Sequence, residues 1–151
     1  VNGYLQTGAP DVYAAGDVTG LSGIWPNAQK QGETAALNMC GAQVLYEDRY
    51  ALKNTINFFG LVSMCVGEIL SKEGDVVIAR EDSHNYKRVI LREGKVAGVI
   101  LQGDISHAGI WQYLIKNKIS ITGIEKDIFD LNFGDFYGIK DNGEYQWKTV
   151  G

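Results

Sequence analysis

Residues 11–17 read Asp11-Val12-Tyr13-Ala14-Ala15-Gly16-Asp17, and this stretch decides how the rest of the chain is read. A run of β-branched, aromatic and small residues ends in a Gly-Asp pair, the pattern of a short strand with a carboxylate at its C-terminal end. A glycine-containing loop, 18–24, follows. Then comes Trp25-Pro26, with Pro26 suited to the first turn of a helix, where its missing N–H costs nothing. Strand end, carboxylate and helix N-terminus then face one crevice. Crevices at the carboxyl ends of strands take nucleotide cofactors in open α/β sheets.

The segment Leu5-Gln6-Thr7, continued by Pro10 through Asp17, closely resembles the second flavin motif of FAD-dependent pyridine-nucleotide-disulfide oxidoreductases. The resemblance implies FAD as cofactor and NAD(P)H as substrate, the latter bound mainly by a domain upstream. It assigns to Asp17 the acceptance of a hydrogen bond from a ribityl hydroxyl. It also aims the N-terminus of the Pro26 helix at the N1/C2 carbonyl edge of the isoalloxazine, where negative charge gathers on reduction. Free N–H groups and the positive end of the helix dipole suit that charge. The cofactor-binding set implied is Gly16, Asp17, Val18, Trp25, Pro26, Asn27 and Ala28. Backbone groups near Trp25, Asn27 and Ala28 are the expected donors, and Pro26 sets geometry only. Read alone, Asp17 is more readily a helix-cap or loop aspartate; the whole motif singles it out. Trp25 either packs in a core or covers the flavin or an interface. Lys30 and Gln31 read as a solvated helix face.

The pattern Trp25-Pro26 followed by Gln31-Gly32 looks like the NADH:rubredoxin reductase, nitrite reductase and NADH oxidase branch of that superfamily. No His-Pro pair occurs, so the chain does not resemble a glutathione-reductase-type C-terminus. Residues 51–118 resemble, more loosely, the small C-terminal domain of rubredoxin reductases. No Gly-x-Gly-x-x-Gly fingerprint is present. The flavin match begins almost at residue 1, which is Val rather than Met. The expectation is therefore the C-terminal part of a flavoprotein NAD(P)H oxidoreductase, inactive alone and holding no catalytic residue of its own. Its acceptor would be a disulfide, oxygen or a redox protein such as rubredoxin. The rival reading is a non-catalytic dimerisation or protein-interaction module.

The organisation along the chain supports an α+β fold in two parts. Residues 1–45 are expected to complete the FAD-binding domain as a remnant of a Rossmann-like fold. Residues 46–151 are expected to form a small mixed domain of antiparallel sheet, two helices and an aromatic hairpin tail. In the first part, 1–7 and 12–15 read as short strands and 26–45 as the longest helix. Ala28, Gly32, Ala36 and Cys40 recur every four positions and line one stripe of that helix. Gly32 in mid-helix costs roughly 1 kcal/mol against alanine, a cost that close packing of the stripe would offset.

After the polar connection Glu47-Asp48-Arg49 the pattern turns β, with strands within 54–70, 76–79, 88–91 and 96–101. Ser83-His84-Asn85 and Glu93-Gly94-Lys95 read as turns, the second closing a hairpin. Ile110, Trp111, Leu114 and Ile115 form an apolar face at helical spacing. Thr122-Gly123-Ile124-Glu125 carries the signature of a capping box and predicts a second helix. Phe136, Tyr137, Tyr145 and Trp147 flank an Asp141-Asn142-Gly143 turn. These aromatics read as the core of a small sheet, with a partner surface as the alternative.

Bulk properties exclude several classes. A chain of 151 residues, 45% hydrophobic, can bury a core of its own. Its 14 basic and 18 acidic residues give a net charge of −4, which argues against a nucleic-acid surface. No apolar run is long enough to span a membrane, and the N-terminus lacks the pattern of a signal peptide, so a cytoplasmic setting is expected. Cys40 and Cys65 share no redox or zinc spacing and read as reduced, buried thiols. His84 and His107 have no ligand or triad partner at useful spacing, and no metal site is expected. The partners expected are the upstream FAD and NAD(P)H domains, a redox protein acceptor and a second copy of the chain.

Overall fold

The computed structural model describes residues 1–48 and 53–147. The chain divides into two compact units, Val1–Leu52 and Lys53–Gly151.

The first unit is a tight N-terminal hairpin against one helix. The two short strands expected here form only a single antiparallel bridge, between Gln6 and Tyr13. Thr7 N donates to Val12 O and Ala14 N to Leu5 O, and the ladder goes no further. The cause is local: Leu5 and Asp11 take φ of 63° and 62°, which breaks the extended chain on either side of the bridge.

Helix α1 (Trp25–Met39) begins where expected but stops six residues short of the predicted Leu45. Gly41 ends it. With φ at 85° this glycine forms a Schellman cap, its N–H donating to Asn38 O while Ala42 N donates to Leu37 O. The following residues run back along the helix, held by Asn38, whose Nδ2 donates to Tyr4 O and Val44 O at 2.8 Å each. The core of this unit is Leu5, Ala35 and Tyr46, with Tyr13, Ala15 and Leu21 packed around it.

The inward face of α1 is not the small-residue stripe. Its buried residues are Gln31, Thr34, Ala35 and Asn38, at the i, i+3, i+4, i+7 spacing of one helix face. Ala36 and Cys40 are exposed. A Cβ on Gly32 would meet nothing within 4 Å, so close packing does not account for glycine there within this unit. Cys40 is an exposed free thiol and Cys65 a half-buried one, which corrects the expectation of two buried thiols.

The second unit is built on a five-stranded antiparallel sheet. Its strands are β1 (Lys53–Phe58), β2 (Leu61–Gly67), β3 (Val76–Glu81), β4 (Tyr86–Arg92) and β5 (Lys95–Gln102), in spatial order β1-β2-β5-β4-β3. Register places Val66, Val99 and Val89 side by side across the three inner strands, all buried. Helix α2 (Gly109–Lys116) packs on β5 and β2 through Ile110, Trp111, Leu114 and Ile115, the four residues whose spacing marked them. The Glu93-Gly94 turn closes β4 onto β5 as expected.

The second helix expected at Thr122 is absent. Gly123 takes φ of 83°, outside the helical region, and residues 122–127 run as turns and irregular chain. Two 3₁₀ turns, Ile128–Asp130 and Phe133–Phe136, stand in its stead. The reciprocal capping box lies between Asn132 and Asp135 and starts the second of these turns. Phe129, Leu131 and Phe136 anchor this segment in the core.

Strands β6 (Tyr137–Ile139) and β7 (Tyr145–Trp147) then pair antiparallel around the Asp141-Asn142-Gly143 turn. Trp147 stacks on Tyr113 of α2 at 4.1 Å between ring centroids and lies 4.4 Å from Tyr137. The tail aromatics therefore divide: Phe136 and Trp147 pack inward, while Tyr145 stays 74% exposed. The α+β architecture and the aromatic hairpin are as expected; the second helix of this unit is the correction.

Candidate functional site

The Gly16-Asp17 pair lies between the hairpin and α1. Gly16 takes φ of 82° and ψ of −157°, a combination essentially restricted to glycine. A single 3₁₀ turn, Asp17–Thr19, follows. Asp17 is exposed, and its carboxylate has no hydrogen-bond partner among the described residues. The loop returns to α1, and a Cβ on Gly16 would lie 3.7 Å from that of Ala28, an ordinary contact. Backbone conformation, not space, is what demands glycine at 16.

At the start of α1, no side chain caps the helix. Pro26 has no N–H, and the Asn27 and Ala28 amides both donate to Ile24 O, at 3.1 and 3.0 Å. Of the expected backbone donors, the Trp25 N–H is the one left uncommitted by the helix itself. The Asn27 side chain turns away from the opening, its Nδ2 reaching Tyr46 Oη and Asp48 O at 3.3 Å each. Trp25 and Val18 are about four-fifths exposed, at 79% and 81%. Within this unit Trp25 is thus not a core residue.

The residue missed by sequence reasoning is Gln31. Expected on a solvated face, it is fully buried, whereas Lys30 beside it is exposed. Gln31 Oε1 accepts from Gly16 N at 2.8 Å and lies 3.0 Å from Thr19 Oγ1. The Thr19 hydroxyl also reaches Gly16 O at 2.7 Å, so one buried amide and one hydroxyl grip both sides of the Gly16 peptide. Gln31 Nε2 has no hydrogen-bond partner among the described residues. A buried donor without an acceptor costs about 1–3 kcal/mol. Only the i, i+3, i+4, i+7 run Gln31, Thr34, Ala35, Asn38 hinted at this, and three polar members hid it.

The sheet unit has a groove of about 330 Å³ lined by Ile78, Leu91, Ile121, Ile124 and Leu131 with Arg80 at its rim. Its charges are committed: Arg80 pairs with Asp127, and Lys126 with Asp135. No convergent free polar group is present there among the described residues. His84 and His107 are both exposed, the first in its turn and the second two residues before α2.

Residues 53–119, the five-stranded sheet and α2, match the family model described as the rubredoxin NAD+ reductase C-terminal domain. The chain is also similar to the NADH-rubredoxin oxidoreductase of Clostridium acetobutylicum, 30% identical over 110 residues that make up 70% of this chain and 29% of the relative. Similarity to the nitrite reductase [NAD(P)H] of Bacillus subtilis covers 83% of this chain and 16% of that protein, at 26% identity. The solved structure of the Clostridium acetobutylicum NADH:rubredoxin oxidoreductase superposes with a TM-score of 0.59 at 27% identity, covering 83% of this chain and 34% of that one. The chain thus spans about a third or less of the length of the relatives it matches.

The sheet unit carries one dense charge cluster. Arg92 on β4 holds Asp75 with Nε at 2.9 Å and Nη2 at 2.8 Å, and reaches Glu68 with Nη1 at 2.7 Å. Hydrogen bonds from Arg92 and then Lys72 draw the Glu68 carboxyl down to about 2. Asp75 is lowered for the same leading reason. The cluster ties the 68–75 segment to β4 and has no free acid or base to offer. In the same domain the Ser106 and Lys87 hydrogen bonds hold Asp104 well below the usual carboxylate range. No helix among the described residues is long and apolar enough to cross a membrane.

Proposed function

We propose that this chain is the C-terminal part of a flavoprotein NAD(P)H oxidoreductase, with residues 1–45 completing its FAD domain and residues 46–151 buttressing it. The observation that carries the reading is the Gly16-Asp17 turn. It combines a glycine-only conformation, an exposed carboxylate with no partner among the described residues and an adjacent helix start with one N–H that the helix leaves uncommitted. This donor set fits a ligand that offers hydroxyl donors beside an electron-rich carbonyl edge, as FAD does.

In this reading Asp17 accepts a hydrogen bond from a ribityl hydroxyl. Trp25 N–H and the α1 dipole face the N1/C2 edge and favour negative charge there. Gly16 and Ala28 keep the approach narrow, Pro26 holds the helix start, and Val18 and Trp25 exclude water. Asn27 contributes through the geometry of its turn, since its amide and side chain are already engaged. The flavin, when bound, supplies the hydride-accepting and electron-passing chemistry. The chain supplies binding and electrostatics, and alone it is inactive.

The similarity to NADH-rubredoxin oxidoreductase supports a rubredoxin-like redox protein as acceptor. Exposed Val18 and Trp25 are surfaces that upstream FAD and NAD(P)H domains, or a second copy, would cover. The test is spectroscopic. The full-length protein carrying this sequence should purify with flavin absorbance that bleaches on anaerobic addition of NADH or NADPH. A colourless protein that gains no flavin on reconstitution with FAD would overturn the reading and favour a non-catalytic interaction module.

A further inference from the structure

We infer that Gln31 is a positioning residue that acts through Gly16 to aim the Asp17 carboxylate at the flavin; this rests on the FAD reading above. Gln31 is wholly buried and has no route to a ligand. Its Oε1 accepts the Gly16 N–H at 2.8 Å, one peptide before Asp17, and the Thr19 hydroxyl closes the other side at 2.7 Å from Gly16 O. Gly16 carries φ of 82°, a backbone state that other contacts must hold.

The amide orientation is forced. Turning Gln31 over would set its NH₂ against the Gly16 N–H, donor against donor. Keeping Oε1 on Gly16 leaves Nε2 buried without an acceptor among the described residues, so this one hydrogen bond is kept at the cost of an orphaned donor. A residue retained only for packing would gain by being apolar here. The α1 helix is in effect a template on which the strand-end peptide is held in register.

The experiment is a double-mutant cycle between Gln31→Leu and Asp17→Asn in the full-length protein, reading FAD dissociation constants of the apoprotein and the visible circular dichroism of bound flavin. Gln31→Leu should weaken FAD about tenfold in the wild-type background and far less once Asp17 is changed, because both act on one contact. The flavin dichroism should change with Gln31→Leu and keep its wild-type form in Gln31→Glu, which retains the acceptor for Gly16. In the chain as it stands, Gln31→Leu should also speed hydrogen exchange of the Gly16 amide.

Should Gln31→Leu fail to fold, Thr19→Val replaces it in the cycle, since it loosens Gly16 from the other side without emptying the core. Additive losses, or an unchanged Gly16 exchange rate, would overturn the inference. An Asp17→Asn protein that binds FAD as well as wild type would instead strike at the FAD reading itself.

Discussion

Gly98 on β5 lies directly against Glu68: a Cβ at position 98 would stand 1.7 Å from the Glu68 carbonyl oxygen. The chain leaves β2 at Gly67, with φ of 72°, and Glu68 N donates to Ala97 O at 3.0 Å as it crosses. The crossing brings the 68–75 segment within reach of Arg92. A glycine that looks like a weak point in a strand is thus where two backbones meet.

Gly98→Ala should therefore be severe. The neighbouring atoms are backbone and cannot rotate aside, so a loss of about 2–3 kcal/mol or failure to fold is expected, at the upper end for overpacking. Thermal unfolding of the variant checks this. A midpoint within a degree or two of wild type would mean the crossing is looser than the geometry requires.

Acid should loosen the same region. Glu68 titrates at about 2 in the folded chain against 4.5 when free, so its carboxylate form is favoured by folding. Its contribution is full above about pH 4.5 and fades as pH falls towards 2. Asp75, lowered by the same Arg92, adds in the same direction. Arg92→Met should flatten the pH dependence of stability across this acid window and leave it unaltered near neutrality. Urea midpoints measured through the window would test it, and an unchanged acid limb would remove Arg92 from the account.

Gly32→Ala should stabilise the first unit by about 0.5–1 kcal/mol, since alanine is the better helix former and its methyl group would meet nothing. Slower hydrogen exchange along α1 is the expected readout. In the full-length protein the same change should lower FAD affinity if that stripe faces the cofactor domain, and leave it unaltered if it faces solvent.

Asp17→Ala in the full-length protein should weaken FAD by roughly 1.5–3 kcal/mol, the worth of a hydrogen bond to a charged group. The unfolding midpoint of the apoprotein should hardly move, because the carboxylate is exposed and unpartnered among the described residues. Fluorescence titration of the apoprotein with FAD decides it, and undiminished affinity would take Asp17 out of the site.

Features written in neighbouring residues were legible in the sequence alone. The Glu93-Gly94 turn, the apolar face of α2 and the β6–β7 hairpin depend on residues within a few positions of one another, and each stands in the structure as its pattern implied. The start of α1 was legible for the same reason, through Pro26. Its end was equally local: Gly41 marked it, and the apolar residues beyond drew attention past it. Tertiary structure alone decided that Gln31 turns inward to grip Gly16, 15 residues earlier, and that Arg92 reaches Glu68 and Asp75, 24 and 17 residues away. Periodicity sorts residues by polarity, so it sends a glutamine or an arginine to the surface. What draws them into a fixed place is a specific hydrogen-bond partner, and chain folding brings that partner close from a distance no local pattern spans.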